Sequence, residues 1–248
     1  MKALLKIVEP VMLSAVIIVL IVCAVNNVKN SGLLTAIVAL TSFVPFVMRF
    51  ELQRPNPSEI MPIAVLSAIA IVGRIVLTPI MSFQPVTALV IFTGIFFGRQ
   101  SGYLTGAFTA LISNMVMGQG AWTPWQMYTW GMIGFFAGLL AEKGVFGDIG
   151  NGKLFEKKSG GKIRVVIILI YGVVASALYS IVLDTWYLIT FVSDVTLATV
   201  TTVYFAGILM NISHIISTTA ILIIVIKPWG KKIERIKIKY GIGPSKIV

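Results

Sequence analysis

The sequence predicts an all-α integral membrane protein, built as a bundle of roughly eight transmembrane helices. Three observations predict it: the composition, the recurrence of long apolar segments, and the placement of the basic residues. Of the 248 residues, 57% are hydrophobic and only 12% are charged, whereas a soluble domain carries about 25% charged residues. This deficit of charge indicates that lipid, and not water, surrounds most of the chain.

Eight apolar segments are candidates for membrane spans. A spanning helix needs about 20 residues, because roughly 30 Å of hydrocarbon is crossed at about 1.5 Å per residue. The predicted segments are 8–25, 33–47, 60–77, 84–97, 103–117, 125–140, 165–182 and 195–226. The fourth and fifth segments are short and only residues 98–102 separate them, so they form either two spans or a re-entrant pair that protein buries.

The basic residues test this count independently. All but two of the 20 Lys and Arg lie on alternate connections or in the terminal stretches; the exceptions are Lys29 and Arg74. This positive-inside pattern predicts an even number of spans with both termini in the cytoplasm. The net charge of +11 is therefore spread along one membrane face, which predicts contact of the basic tail with anionic membrane lipid and no nucleic-acid site.

A polar seam at 50–59 divides the chain into two units. They are an N-terminal two-helix membrane unit (1–50) and a six-helix substrate-binding domain (51–248). The first apolar segment could also be a signal peptide. However, Glu9 and Pro10 open it and no small-x-small cleavage site follows, so we interpret it as a helix.

Small residues recur at every fourth position in three of the segments. They are Gly102, directly before the fifth segment, with Gly106 and Ala110 inside it, Gly134 and Gly138 in the sixth, and Ala64 and Ala68 in the third. Such stripes let helix backbones approach closely, which is the main attraction available between helices in lipid. Packing inside the bundle is favoured for the glycine stripes, whereas the alanine stripe fits either internal packing or a partner.

The connections expected on the outer side combine aromatic and amide side chains with almost no charge. The candidate substrate-binding residues among them are Phe83, Gln84, Asn114, Gln119, Trp122, Trp125, Gln126 and Trp186. Aromatic planes beside amide groups suit a pocket for a flat, neutral or weakly charged organic ligand. An aromatic belt at the membrane interface would explain Trp186 and Tyr187 equally well, whereas the glycine-containing turn at 118–126 favours the pocket.

Two charged residues lie within or beside the predicted spans. Arg74 lies in the third segment about one turn from its outer boundary, and a charge at that depth usually faces a partner or a cavity. Asp184 is its natural counter-ion, so an Arg74–Asp184 ion pair and a ligand contact are both open. His214, the only histidine, is more typical of a hydrogen-bonded core residue, and no set of residues predicts a metal site.

The sequence predicts no enzyme activity, and therefore no catalytic residue and no cofactor. Gly118-Gln119-Gly120 lacks the lysine and the spacing of a phosphate-binding loop. The chain contains neither a Gly-x-Ser-x-Gly nucleophile motif nor a His-Glu-x-x-His metal motif. No paired carboxylates in the apolar segments suggest acid–base chemistry.

From Ile60 onward the chain resembles the substrate-capturing S components of energy-coupling factor (ECF) transporters. The stretches that carry the resemblance are 63–74, 83–89, 94–103, 113–114 and 118–127. The most specific part is Gly118-Gln119-Gly120-Ala121-Trp122-Thr123-Pro124-Trp125-Gln126. The resemblance covers about two-thirds of the chain, as six helices, and the N-terminal helix pair departs from that six-helix pattern.

The resemblance implies a binding subunit that captures a vitamin or related micronutrient at the outer face of a bacterial-type plasma membrane. Such a subunit docks on a shared transmembrane coupling subunit with two ATPase subunits, through small residues that correspond here to Ala64 and Ala68. The Trp-Thr-Pro-Trp-Gln stretch is similar to that of cobalamin-type S components, although riboflavin-like or pterin-like ligands suit the same aromatic residues. The alternative is a stand-alone secondary transporter or channel, against which the missing sequence repeat counts.

Overall fold

The computed structural model of the chain describes residues 57–147 and 160–240, together with Ile37 and Phe155. These residues form six α-helices and no β-strand. The helices are α1 (Pro57–Val76), α2 (Val86–Phe97), α3 (Arg99–Met117), α4 (Thr123–Glu142), α5 (Gly161–Phe191) and α6 (Leu197–Tyr240). The all-α prediction is confirmed for this part of the chain. The predicted helices 8–25 and 33–47, and the division near residue 50, lie outside the described residues.

The two C-terminal helices are longer than the sequence predicts. Helix α5 has 31 residues and α6 has 44, because a helix need not end where its apolar stretch ends. The Lys, Arg and Glu residues after position 226 still favour helical structure. Residues 184–187, expected in an outer connection, lie inside α5, since no glycine or proline follows Gly172 before the helix ends at Phe191.

The short helix α2 is the centre of the described bundle. Its residues from Val86 to Phe96 are all buried, and it packs against each of the other five described helices. Gly98 ends α2 with a backbone φ of 92°, a conformation that residues other than glycine rarely adopt. The 12 residues of α2 span only about 18 Å, and such a short segment is tolerated at membrane depth because protein encloses it.

The glycine stripes pack helices against one another, as the sequence predicts. A Cβ atom added at Gly102 would overlap backbone atoms of Gly134 and Gly94, and one added at Gly134 would overlap the backbone of Gly102. Helices α2, α3 and α4 therefore meet backbone against backbone at this point. A Cβ atom at Gly106 would meet the backbone of Trp130 in the same way.

The outer surface of the described bundle is apolar. Helices α5 and α6 are long and apolar enough to cross a membrane, as judged by length and composition. However, only 33% of the residues in the most apolar stretch of α5, and 22% of those in the most apolar stretch of α6, are buried. A core helix of a soluble protein would bury most of such a stretch. The exposed apolar side chains therefore favour lipid, or another protein, as their surroundings.

The connections between helices alternate between two ends of the bundle, because consecutive helices pack against each other. Residues 77–85, 118–122 and 192–196 lie at one end, which we term the cavity end. The turn at Gly98, residues 143–147 after α4, the start of α5 at Gly161 and the C-terminal part of α6 lie at the opposite end. We term this the basic end, since Lys and Arg residues concentrate there.

Candidate ligand-binding site

A cavity of about 370 Å³ lies where α1, α4, α5 and α6 meet the connection 77–85. Pockets for small organic ligands measure about 300–1,000 Å³, so this cavity is at the small end of that range. Its polar lining consists of Arg74, Thr78, Ser82, Gln84, Gln126, Ser180, Asp184, Asn211 and His214. Its larger apolar and aromatic side chains are Leu77, Ile80, Phe83, Met117, Tyr179, Leu183 and Met210.

Arg74 lies in the last turn of α1, on the buried face of that helix, with 8% of its surface exposed. Its Nη1 donates hydrogen bonds to Ser113 Oγ and, at 3.0 Å, to Asn114 Oδ1. Its Nη2 donates to Gln126 Oε1 at 3.3 Å. The guanidinium carbon lies 4.9 Å from the ring centroid of Trp130, a distance at which a cation is attracted to the ring face.

Asn114 supports this network from behind the cavity lining. Its Nδ2 donates to Thr123 Oγ1 at 2.9 Å and to Gln126 Oε1 at 2.8 Å, while its Oδ1 accepts from Arg74. The residue is almost fully buried, and both of its amide atoms are bonded to protein. Asn114 therefore positions Arg74 and Gln126 and does not line the cavity itself.

An aromatic stack forms one wall of the cavity. Tyr179 lies between Trp130 and His214, with ring centroids 4.7 Å and 4.8 Å away and interplanar angles of 19° and 11°. Thr87 Oγ1 links the two outer rings: it accepts from Trp130 Nε1 at 3.0 Å and lies 2.9 Å from His214 Nε2. Gln84 Nε2 lies 3.3 Å from His214 Nδ1, so both ring nitrogens are occupied.

The Arg74–Asp184 ion pair, one of the two expectations for these residues, does not form. Asp184 Oδ2 accepts a hydrogen bond from Asn211 Nδ2 at 2.8 Å, and the described residues place no carboxylate within ion-pair distance of Arg74. The helix packing explains this: Asp184 and Asn211 lie on the contacting pair α5 and α6, whereas Arg74 lies on α1 against α3. Within the described part of the chain, Arg74 Nε is buried without a hydrogen-bond partner.

The predicted substrate-binding residues divide into two groups. Those that line the cavity are Arg74, Phe83, Gln84, Gln126 and Asp184. Those that do not are Asn114, Gln119, Trp122, Trp125 and Trp186. Contact of the first group with a ligand stays a prediction.

The second group packs elsewhere largely because α4 already begins at Thr123. Trp125 is fully buried in the core, and Gln119 Nε2 donates to the Leu111 carbonyl on the surface. Trp122 and Trp186 pack edge to face, with ring centroids 6.5 Å apart and an angle of 69°. Of the stretch 118–126, only the last residue reaches the cavity.

Sequence reasoning missed several lining residues as parts of the site, among them Tyr179, Asn211 and His214. The sequence predicts a core histidine at 214, and the side chain is indeed 2% exposed, yet it also lines the cavity. One signal could have found it: Asn211 and His214 are three positions apart and share one face of an apolar helix. Polar side chains at such depth usually face a cavity or a partner.

Ala64 and Ala68 lie on the outer face of α1. Both are exposed, together with the larger side chains of Val65 and Val72. The alanine stripe therefore does not pack inside the bundle of described helices, in contrast to the glycine stripes. Docking of a partner on this face stays a prediction.

The described residues form a helical bundle with an apolar exterior and, at one end, a cavity of mixed polar and apolar lining, an arrangement that suits a membrane protein with a small organic ligand. Residues 56–228 match the family described as "ECF-type riboflavin transporter, S component". Because the match covers more than two-thirds of the chain, the chain belongs to this family. It is a substrate-specific binding subunit of an energy-coupling factor transporter, a transporter component and not an enzyme. Comparisons with curated proteins and with solved structures found no match.

Proposed function

We propose that the chain captures a planar, vitamin-sized heterocycle in the cavity and delivers it through a separate coupling subunit that two ATPase subunits energise. The observation that carries this proposal is the cavity of about 370 Å³, in which amide, hydroxyl and charged side chains converge within an apolar wall. The match to the family of a transporter S component supports a release step that partner subunits energise.

The favoured ligand is of the flavin class, with riboflavin as the first to test. The description of the matched family names riboflavin, and the half-buried Phe83 presents an aromatic ring beside the amide of Gln84. The sequence resemblance favours cobalamin instead. A corrinoid ring with its nucleotide tail is far larger than the cavity, so only part of it could enter. The cavity volume therefore supports the smaller flavin.

The cavity end faces the outside of the membrane in this proposal, and both chain termini face the cytoplasm. Lys and Arg residues concentrate at the opposite end of the bundle, and such residues are enriched on the cytoplasmic side of membrane proteins. The chain would then cross the membrane several times, with α5 and α6 as the two longest spans. The exposed stripe of Ala64 and Ala68 on α1 is the proposed docking face for the coupling subunit.

A thermal-shift comparison of the purified full chain in detergent tests the choice of ligand. A ligand that binds only the folded state stabilises it by about 2.7 kcal/mol at 100 times its Kd. We expect riboflavin to raise the Tm and cobalamin to leave it unchanged. A shift with cobalamin alone would support the cobalamin prediction, and a shift with neither would contradict the flavin assignment.

A further inference from the structure

Arg74 is a buried cation whose charge nothing in the described structure neutralises. A guanidinium stays protonated in proteins, and 8% of the surface of this residue is exposed. Its hydrogen-bond acceptors are the neutral side chains of Ser113, Asn114 and Gln126. The described residues offer it no carboxylate, although burial of an unpaired charge is strongly unfavourable.

Part of the guanidinium is also unused as a hydrogen-bond donor. Both bonds from Nη1 are made, but Nη2 makes a single long bond of 3.3 Å to Gln126. Nε is buried and has no partner among the described residues. Nε–H is enclosed by protein, so one Nη2–H remains for an acidic group of a ligand in the cavity that Arg74 lines. A hydrogen bond between a guanidinium and an anionic oxygen is of the strong, charge-assisted kind.

Asp184, the acidic residue that the described residues contribute to the cavity lining, is held away from Arg74. Asp184 accepts a hydrogen bond from Asn211 across the α5–α6 contact, while Arg74 is held by α3 and α4. The polar lining also contains His214. Its two ring nitrogens lie within hydrogen-bond distance of Gln84 and Thr87. The positive charge of Arg74 and the negative charge of Asp184 thus lie on different sides of the cavity lining, and among the described residues neither forms an ion pair.

We propose that Arg74 binds an acidic group of the captured ligand, so that the site prefers a planar heterocycle that bears a phosphate over the matched compound that lacks it. This inference rests on the proposed capture function and names the chemistry of the ligand at one point of the cavity. Ser113, Asn114 and Gln126 act as positioning residues that orient the guanidinium. The face of Trp130 supports the cation from the side.

Two matched flavins test the inference on the wild-type chain in detergent, by titration of flavin fluorescence. They are riboflavin and flavin mononucleotide, which adds a phosphate. A charge-assisted hydrogen bond corresponds to a factor of roughly ten to a hundred in affinity. If the phosphate meets Arg74, flavin mononucleotide binds at least about tenfold more tightly than riboflavin. Equal affinities, or weaker binding of flavin mononucleotide, would overturn the inference.

Substitution of Arg74 assigns the preference to this residue. Arg74→Gln should reduce the preference to within about twofold, and Arg74→Lys should keep part of it, because lysine retains the charge but not the planar guanidinium. A preference that persists unchanged in Arg74→Gln overturns the assignment. Both variants are compared at temperatures below their measured Tm, so that loss of folding is separated from loss of preference.

A second probe separates this inference from the proposed function. If no flavin binds the wild-type chain, the flavin assignment fails, and inorganic phosphate then tests Arg74 alone. The inference predicts that phosphate raises the Tm of the wild-type chain above its value in chloride at equal ionic strength. It also predicts no such rise for Arg74→Gln. An equal Tm in the two salts for the wild-type chain would overturn the inference as well.

Discussion

Replacing Gly134 by alanine should force helices α3 and α4 apart. The added Cβ atom would overlap the carbonyl group of Gly102, and a backbone group cannot rotate away as a side chain can. Overpacking costs typically about 1–3 kcal/mol, and we expect the upper end because two helices must move. Alanine regains about 1 kcal/mol in helix propensity over glycine, so the net loss of stability is about 2 kcal/mol.

The expected change in Tm follows from the size of the chain. At about 2–4 °C per kcal/mol, Gly134→Ala should melt about 4–8 °C below the wild type, measured by tryptophan fluorescence in one detergent. The control is Ala68→Val, which adds carbon atoms on the exposed face of α1 and should shift the Tm by less than about 2 °C. An unchanged Tm for Gly134→Ala would show that the two backbones are not in contact at this point.

Three further predictions concern the cavity wall, the cavity lining and the docking face. Thr87→Val leaves the buried indole N–H of the aromatic stack without an acceptor, which costs about 1–3 kcal/mol and should lower the Tm by at least about 2 °C. Gln126→Ala should weaken flavin binding about tenfold, whereas Trp122→Ala, outside the cavity, should change the Kd by less than about twofold in the same fluorescence titration. Ala64→Trp combined with Ala68→Trp should prevent co-purification with the coupling subunit and leave the flavin Kd unchanged.

Each of these predictions has an outcome that contradicts it. A wild-type Tm for Thr87→Val would mean that the indole finds another acceptor. An equal loss of affinity in Trp122→Ala and Gln126→Ala would return the stretch 118–126 to the ligand-binding role that the sequence predicts. For docking, Val174→Trp on the exposed face of α5 is the matched control, and loss of co-purification in that variant too would remove the argument for α1.

The sequence was sufficient to predict the six described helices and the close packing at their glycine stripes. Apolar length alone located each described helix, because lipid imposes a strict requirement on backbone hydrogen bonding. The four-residue spacing of Gly102 and Gly106 predicted close backbone contact, since only small side chains permit it. The ends of α5 and α6 were not predictable from hydropathy, because charged residues continue a helix as readily as apolar ones do.

The candidate site was predictable only in part, because its formation depends on which helices are neighbours. Arg74 was singled out by its depth in the membrane. However, Asp184, its expected partner, lies at the contact of α5 and α6, whereas the hydrogen-bond partners of Arg74 lie on α3 and α4. Trp125 was placed at the ligand by its position in an aromatic and amide-rich stretch, but the first turn of α4 directs it into the core. His214 lines the cavity because α6 packs against α2, and one sequence does not reveal which helices contact each other.

Uptake by liposomes that contain this chain alone tests the central proposal most directly. Labelled riboflavin is added outside, with and without sodium, proton and voltage gradients, and the ligand retained per chain is measured over time. A capture subunit should retain at most about one riboflavin per chain, and gradients should not change that amount. Continued accumulation far above one per chain, driven by any of these gradients, would contradict the account and identify the chain as a transporter in its own right.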